Sequence, residues 1–344
     1  MKIAIHAPLG ALLACWSAAA AADHPVAGAF GSGGGIIVFG PDTLERGRWA
    51  AGLRLSFTKP NQRSDEELEA LAGAHVHAHD SRYNLLTSLG LAYGLTDRLM
   101  LSAELPYVRH AGLRAGEHSH SGGAAHNEVV SLGSVNGVGD LRLMAKYRLT
   151  GAGPVSAALI AGVQVPTGST HRRGNNGERL ETEHQPGSGS VDPIIGASAS
   201  APVGSLRLSG SALYHFARKG AQQTRLGDRF QAGVALSKRF GDVAEEPHHH
   251  DGDVAPHSHA APAPRTTWDA MVEVAGEWEG RQRIGGEIEP DSGGKSLWVA
   301  PGLRFNAASG WSAGVSVGVP VWQRIRESHP ENSYRVILSL ARGF

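Results

Sequence analysis

Residues 334–344 read YRVILSLARGF, and their phasing decides the fold. Side chains alternate across a strand, so Tyr334, Val336, Leu338 and Leu340 share one face while Arg335 and Ser339 share the other. Ile337 is the one apolar residue on the polar face, and Arg342 is the one charge in the apolar phase. The last residue is Phe344. A strand of this kind suits either the edge of a soluble sheet or the wall of a barrel whose outside meets lipid.

Eleven earlier segments repeat the alternation. Trp49, Ala51, Leu53, Leu55 and Phe57 oppose Arg54 and Ser56, and Leu99, Leu101, Ala103, Leu105 and Tyr107 oppose Ser102 and Glu104. Trp268, Ala270, Val272 and Val274 oppose Asp269, Glu273 and Glu277. Residues 83–93, 155–165, 191–201, 206–216, 230–240, 297–305 and 311–319 follow suit. Leu141–Leu149 is the clearest: Leu141, Leu143, Ala145 and Tyr147 lie on one face, and Arg142, Lys146 and Arg148 on the other. Three cations on one face rule out burying both faces in a dry core.

Long connections (60–80, 109–136, 167–189, 218–228, 281–295 and 322–333) alternate with tight turns at 95–97, 150–153, 202–204 and 307–310. Aromatic residues gather at strand ends. Long outer loops, short inner turns and aromatic girdles are the pattern of outer-membrane barrels. The chain is therefore expected to be all-β: a transmembrane antiparallel β-barrel of about 12 strands, wound as an up-and-down meander. The connection at 241–264 is the exception, a long segment where a short inner turn belongs.

The remaining sequence fits that placement. Residues 1–22 carry one Lys, an apolar run and then small residues, the make-up of a signal peptide cleaved after Ala20-Ala21-Ala22. Leu12-Leu13-Ala14-Cys15 also resembles a lipoprotein box, and Cys15 is the only cysteine. Residues 23–45 are a Gly-rich segment suited to lie in the lumen as a plug, and 46–344 form the barrel. No later run of about 18 apolar residues could make a membrane helix. A formal net charge of zero argues against nucleic acid as a partner. The expected partners are outer-membrane lipid, the barrel-assembly machinery reading Phe344, and a small-molecule or metal solute. The expected location is the outer membrane of a Gram-negative bacterium.

Several stretches resemble one family. TLERGRWAAGLRLSF (43–57), GLTDRLMLSAELPYV (94–108), GVGDLRLMAKYRL (137–149), VQVPTGS (163–169) and HQPGSGSVDPIIGASAS (184–200) are similar to the outer-membrane family catalogued under a MetA pathway of phenol degradation. The resemblance implies a barrel with a transport or channel role and does not fix a substrate. The histidine-rich insertions depart from what the family leads one to expect.

Of 18 histidines, three groups stand in His-rich loops at 73–80, 117–128 and 245–260. They are His75, His77 and His79; His118, His120 and His126; and His248, His249, His250, His257 and His259. Imidazoles close together in a flexible loop suit weak, exchangeable binding of Zn, Cu, Ni or Co, and no cofactor is required. The bland alternative is a polar loop of solvated histidines. Protonation near pH 6 weakens any such binding. The third group, beside a Pro-rich stretch, would face the periplasm and a soluble partner there.

The lumen-facing positions are Arg54, Glu104, Arg142, Lys146, Arg148, Arg207, His215, Arg239, Glu273, Glu277 and Arg304. Rings of such charges either select small ions or interlock as salt bridges that fill the barrel. His215 with Ser209 or Ser211 is the only hint of a catalytic pair, and all three point inward; no enzymatic activity is expected. The leading expectation is an outer-membrane channel or transporter for small solutes, with metal ions or metal complexes gathered by the loops. The alternatives are a non-conducting metal-binding barrel and a channel for small hydrophobic or aromatic compounds.

Overall fold

The computed structural model describes residues 34–119, 126–150, 154–241 and 266–344. The signal peptide, His120, and the third histidine group at 245–260 lie outside them. Twelve strands close into an antiparallel barrel, each hydrogen-bonded to its neighbours in sequence order. They are β1 (Trp49–Pro60), β2 (Tyr83–Gly94), β3 (Leu99–Ser119), β4 (Leu141–Arg148), β5 (Ser156–Val165) and β6 (Asp192–Val203). The second half comprises β7 (Leu206–His215), β8 (Arg229–Gly241), β9 (Thr267–Glu279), β10 (Gly294–Asn306), β11 (Trp311–Ile325) and β12 (Asn332–Gly343). The seam is β1 against β12, where Leu53 pairs Leu340 and Phe57 pairs Val336. The Phe344 amide adds a hydrogen bond to the Trp49 carbonyl at 2.9 Å.

Outside and inside are inverted relative to a soluble protein. Leu53, Leu89, Val272, Leu338 and Leu340 are exposed, while Glu104, Lys146, Glu273 and Arg304 are buried. A lipid solvent requires this, and closure leaves no strand edge with unpaired backbone groups. Two aromatic belts bound the apolar wall. The inner belt sets Trp49 against Tyr93 and Trp268 against Phe305 as tilted pairs, with ring centres 4.5 and 4.8 Å apart. The outer belt groups Phe57 with Tyr83 and Tyr334, and Tyr214 with Phe230 and Trp278. Phe230 and Phe240 stand ten residues apart on β8; about 33 Å of strand, tilted by about 40°, spans roughly the 25 Å of an outer-membrane band.

Both phase exceptions in the last strand have physical reasons. Arg342 lies over the rings of Trp311 and Phe344, 5.3 and 5.0 Å from their centres, at the inner interface where an amphipathic cation is tolerated. Ile337 is buried in the lumen against Ile36 and Met271.

The outer connections are more regular than the sequence suggests. The stretch 109–136, expected as a loop, continues β3 to Ser119 and returns as a strand at His126–Val138. This hairpin continues past the barrel wall with its register shifted at His110–Leu113 and Leu113–Arg114, and it buries a small core of Leu113, Ala115, Leu132 and Val135 with Leu180. A helix, α1 (Asp65–Gly73), packs beside it through Leu68. It starts at a capping box in which the Ser64 hydroxyl accepts from the Glu67 amide and the Glu67 carboxylate accepts from the Ser64 amide.

Candidate functional site

The candidate site is the lumen, and it has three levels. At the inner level, residues 34–42 enter the barrel from the rim, where the Thr43 hydroxyl donates to the Asp97 carbonyl at 3.0 Å. Glu273 Oε1 accepts from the amides of Ile37 and Val38 at 2.8 and 2.9 Å. Arg304 donates to the carbonyl of Gly34 at 3.0 Å and to that of Gly35. Arg54 donates to Ile36 O at 2.5 Å, and Lys146 Nζ to Gly40 O at 2.8 Å. A strandless segment inside a barrel has no ladder to satisfy its amides and carbonyls, so wall charges do so instead. A Cβ at Gly35 would push the Glu273 carboxylate off these amides.

At the middle level, charges pair across the wall. Arg142 meets Glu104 at 3.3 Å and Arg335 meets Glu277 at 2.6 Å, while near the inner rim Arg239 meets Asp269 at 2.6 Å. Arg335 also lies over the inward Trp298 ring at 4.4 Å. His215 stands between Asp192 at 3.7 Å and Arg229 at 3.3 Å. Arg207 bonds the Ser200 hydroxyl near the inner rim at 3.2 Å, and Arg148 the Asp97 carbonyl at 2.8 Å. A cavity of about 810 Å³ occupies this level, bounded by Ile37 and Phe39 of the entering segment and by His184 and His329 of the outer loops.

At the outer level, His79 and His184 are buried with ring centres 4.5 Å apart. Around them stand Glu181, 3.8 Å from His79 Nε2, and Glu183, 3.6 Å from His79 Nδ1 and 3.5 Å from His184 Nε2. His329 Nε2 is 3.7 Å from the same Glu183 oxygen. Burial pushes the His79 imidazolium down to about 4. His184 lies well below its ordinary value, through burial first and its neighbour His79 second. Glu181 is pushed up to about 6 by burial and then by the charge of Glu183. The level is held from behind by Asp80, which accepts from the Arg63 amide at 2.7 Å and pairs Arg114 at 3.3 Å.

The predicted histidine groups are sorted differently in space. His75 and His77 are exposed, and His75 stands edge-on to His118, 5.1 Å between ring centres. His118 Nδ1 is 2.7 Å from the Asn127 side-chain oxygen, and the exposed His126 is 3.6 Å from Glu128. Among the described residues of these groups, only His79 turns into the lumen mouth, where it meets Glu181, Glu183 and His184 from a loop a hundred residues away. Those three residues, with His329 and Arg229, escape sequence reasoning, whereas Arg335 is placed on the polar face of the last strand by its alternation. The one visible signal is the short run ETEH at 181–184.

A sequence profile described as "Putative MetA-pathway of phenol degradation" matches residues 65–246, just over half of the 344 residues. No curated protein matches the chain in sequence. Among solved structures, the COG4313 outer membrane channel from Pseudomonas putida F1 is similar, with a TM-score of 0.51 and 19% identity over 88% of this chain and 97% of that one. LpxR from Salmonella typhimurium follows, with a TM-score of 0.40 and 11% identity over 85% and 98%. The beta domain of the Bordetella autotransporter BrkA gives 0.38 and 9% over 88% and 100%. The likeness to the Pseudomonas channel, together with the family match, places the fold among outer-membrane β-barrels and the chain in the outer membrane of a Gram-negative bacterium.

Proposed function

The chain belongs to the family described as "Putative MetA-pathway of phenol degradation", and from that premise we propose that it is an outer-membrane channel for small solutes, stopped at its inner end by its own N-terminal segment. The observation that carries this reading is the cavity of about 810 Å³ inside the closed wall. It is of the size that holds one drug-sized molecule, not an open pore. Charged side chains line it, with Arg54, Arg142 and Arg229 among the cations and Glu104, Glu277 and Glu279 among the anions. A solute entering from outside passes the histidine mouth, occupies the cavity and leaves when residues 34–42 move aside.

Single-channel conductance in planar bilayers tests this reading. The wild type is expected to show a small conductance, and deletion of residues 23–45 to raise it several-fold. A barrel silent in both forms overturns the channel reading. A second reading, passage of small aromatic compounds, is favoured by the family description and by Leu86, Met144, Ile160 and Ile194 in the cavity wall. Liposome uptake of phenol against a charged solute of equal size separates the two.

A further inference from the structure

Three loops converge at the outer end of the cavity and carry His79, Glu181, Glu183, His184 and His329 to one point. Ligand atoms of the first four lie within 4.8 Å of one another. Nδ1 of His79 and Nε2 of His184 are buried and have no hydrogen-bond partner. Yet both face one atom, Glu183 Oε1, at 3.6 and 3.5 Å. His329 approaches the same oxygen with Nε2 at 3.7 Å, and its Nδ1 is taken up by the Ser328 hydroxyl at 2.9 Å.

These separations are too long for hydrogen bonds, which would hold nitrogen and oxygen at about 2.7–3.2 Å. They match another geometry. An ion with tetrahedral nitrogen and oxygen ligands at about 2.0–2.2 Å sets those ligands about 3.4 Å apart. The scaffold is fixed before any ion arrives. The His79 amide donates to the Ser328 carbonyl at 2.9 Å, and the His184 amide to the Glu181 carbonyl at 3.0 Å. The Thr182 hydroxyl reaches Ala221 O at 3.1 Å. The nearby Arg63 is opposed by Asp80 at 3.6 Å, so it adds little repulsion toward a cation.

We propose that His79, Glu183 and His184, with Glu181 or His329 completing the set, bind a divalent transition-metal ion of the zinc class at the mouth of the lumen. Mixed imidazole and carboxylate donors suit such ions better than calcium or magnesium. Binding follows from the residues alone; only its position on a solute path rests on the channel reading. The site is built from buried, positioned groups and so should be tighter than a run of histidines on a mobile loop.

Zinc titrated into the full-length barrel against a chromogenic chelator tests the site, with cobalt as a spectroscopic probe. One tight equivalent and a tetrahedral cobalt spectrum are expected in the wild type. His184→Ala and the near-isosteric Glu183→Gln should each weaken that equivalent by about 100-fold or more. The triple change His248→Ala, His249→Ala and His250→Ala should leave it intact. Heat-modifiable mobility on gels confirms that each variant is folded. An unchanged tight equivalent in folded Glu183→Gln overturns the site, as does a wild type with no tight equivalent. Conductance measured in chelator reports on the channel reading separately.

Discussion

The two ends of the lumen are held by opposite means. At the inner end, a chain segment lies among wall charges at hydrogen-bond distance: Glu273, Arg304, Arg54 and Lys146 each meet backbone atoms at about 3 Å or closer. At the outer end, His79, His184 and Glu183 are packed as tightly but stand 3.5–3.6 Å apart, with ring nitrogens unpartnered. Buried polar groups are ordinarily satisfied, because an unmade hydrogen bond costs about 1–3 kcal/mol. At the inner end the exception is Glu273 Oε2, buried without a partner while its Oε1 holds two amides; at the outer end both ring nitrogens that face Glu183 are unpartnered.

The largest test of this contrast is at the outer end's support. Asp80→Ala strips Arg63 and Arg114 of a fully buried partner and should destabilise the outer layer by about 3–5 kcal/mol. Limited proteolysis should then cut within 61–80 while the barrel keeps its heat-modifiable form; resistance equal to wild type would break the comparison. At the inner end, Glu273→Ala orphans the Ile37 and Val38 amides at about 1–3 kcal/mol each. Frequent opening events in single-channel records are expected, and Glu273→Gln, which keeps an acceptor oxygen, should remain near wild type.

Acidification should act on the histidines of the outer end. In metal-free protein, His79 and His184 take up protons less readily folded than unfolded, so their contribution is present above pH 6.5 and is lost as pH falls toward about 4. Glu181 has the opposite sign: its raised value returns stability as pH falls from about 6 through 4.5, a partial offset. Hydrogen-exchange protection at 76–80 and 181–185, corrected for the intrinsic pH dependence of exchange, should fall between pH 7 and 5 more than protection at 36–38. The smallest effect belongs to Ser64→Ala, which removes one cap of α1 at about 1 kcal/mol. Faster exchange confined to α1 is the expected readout.

The wall was legible because lipid imposes a rule on every second residue. A strand facing hydrocarbon must be apolar in one phase, and all twelve segments could be found by that rule from residues such as Leu141–Leu149. The outer layer obeys no period. The stretch 109–136 reads as loop from its glycines and charges, yet forms a hairpin because Leu132 and Val135 find Leu180 from a distant loop. Likewise Ile337 looks like an error of phase until Ile36 is seen beside it.

By itself, then, the sequence determined the twelve-stranded wall, its inward charges and the side on which the long loops lie, since these follow from local alternation and solvent. Only the tertiary structure decided which of the described loop histidines turns inward. His75, His77 and His79 are equivalent as letters, but the short strand at His79–Asp80 pairs with β3 and turns one imidazole inward. Its partners at 181–184 come from a hundred residues away, and contacts of that range leave no mark on the spacing of neighbours.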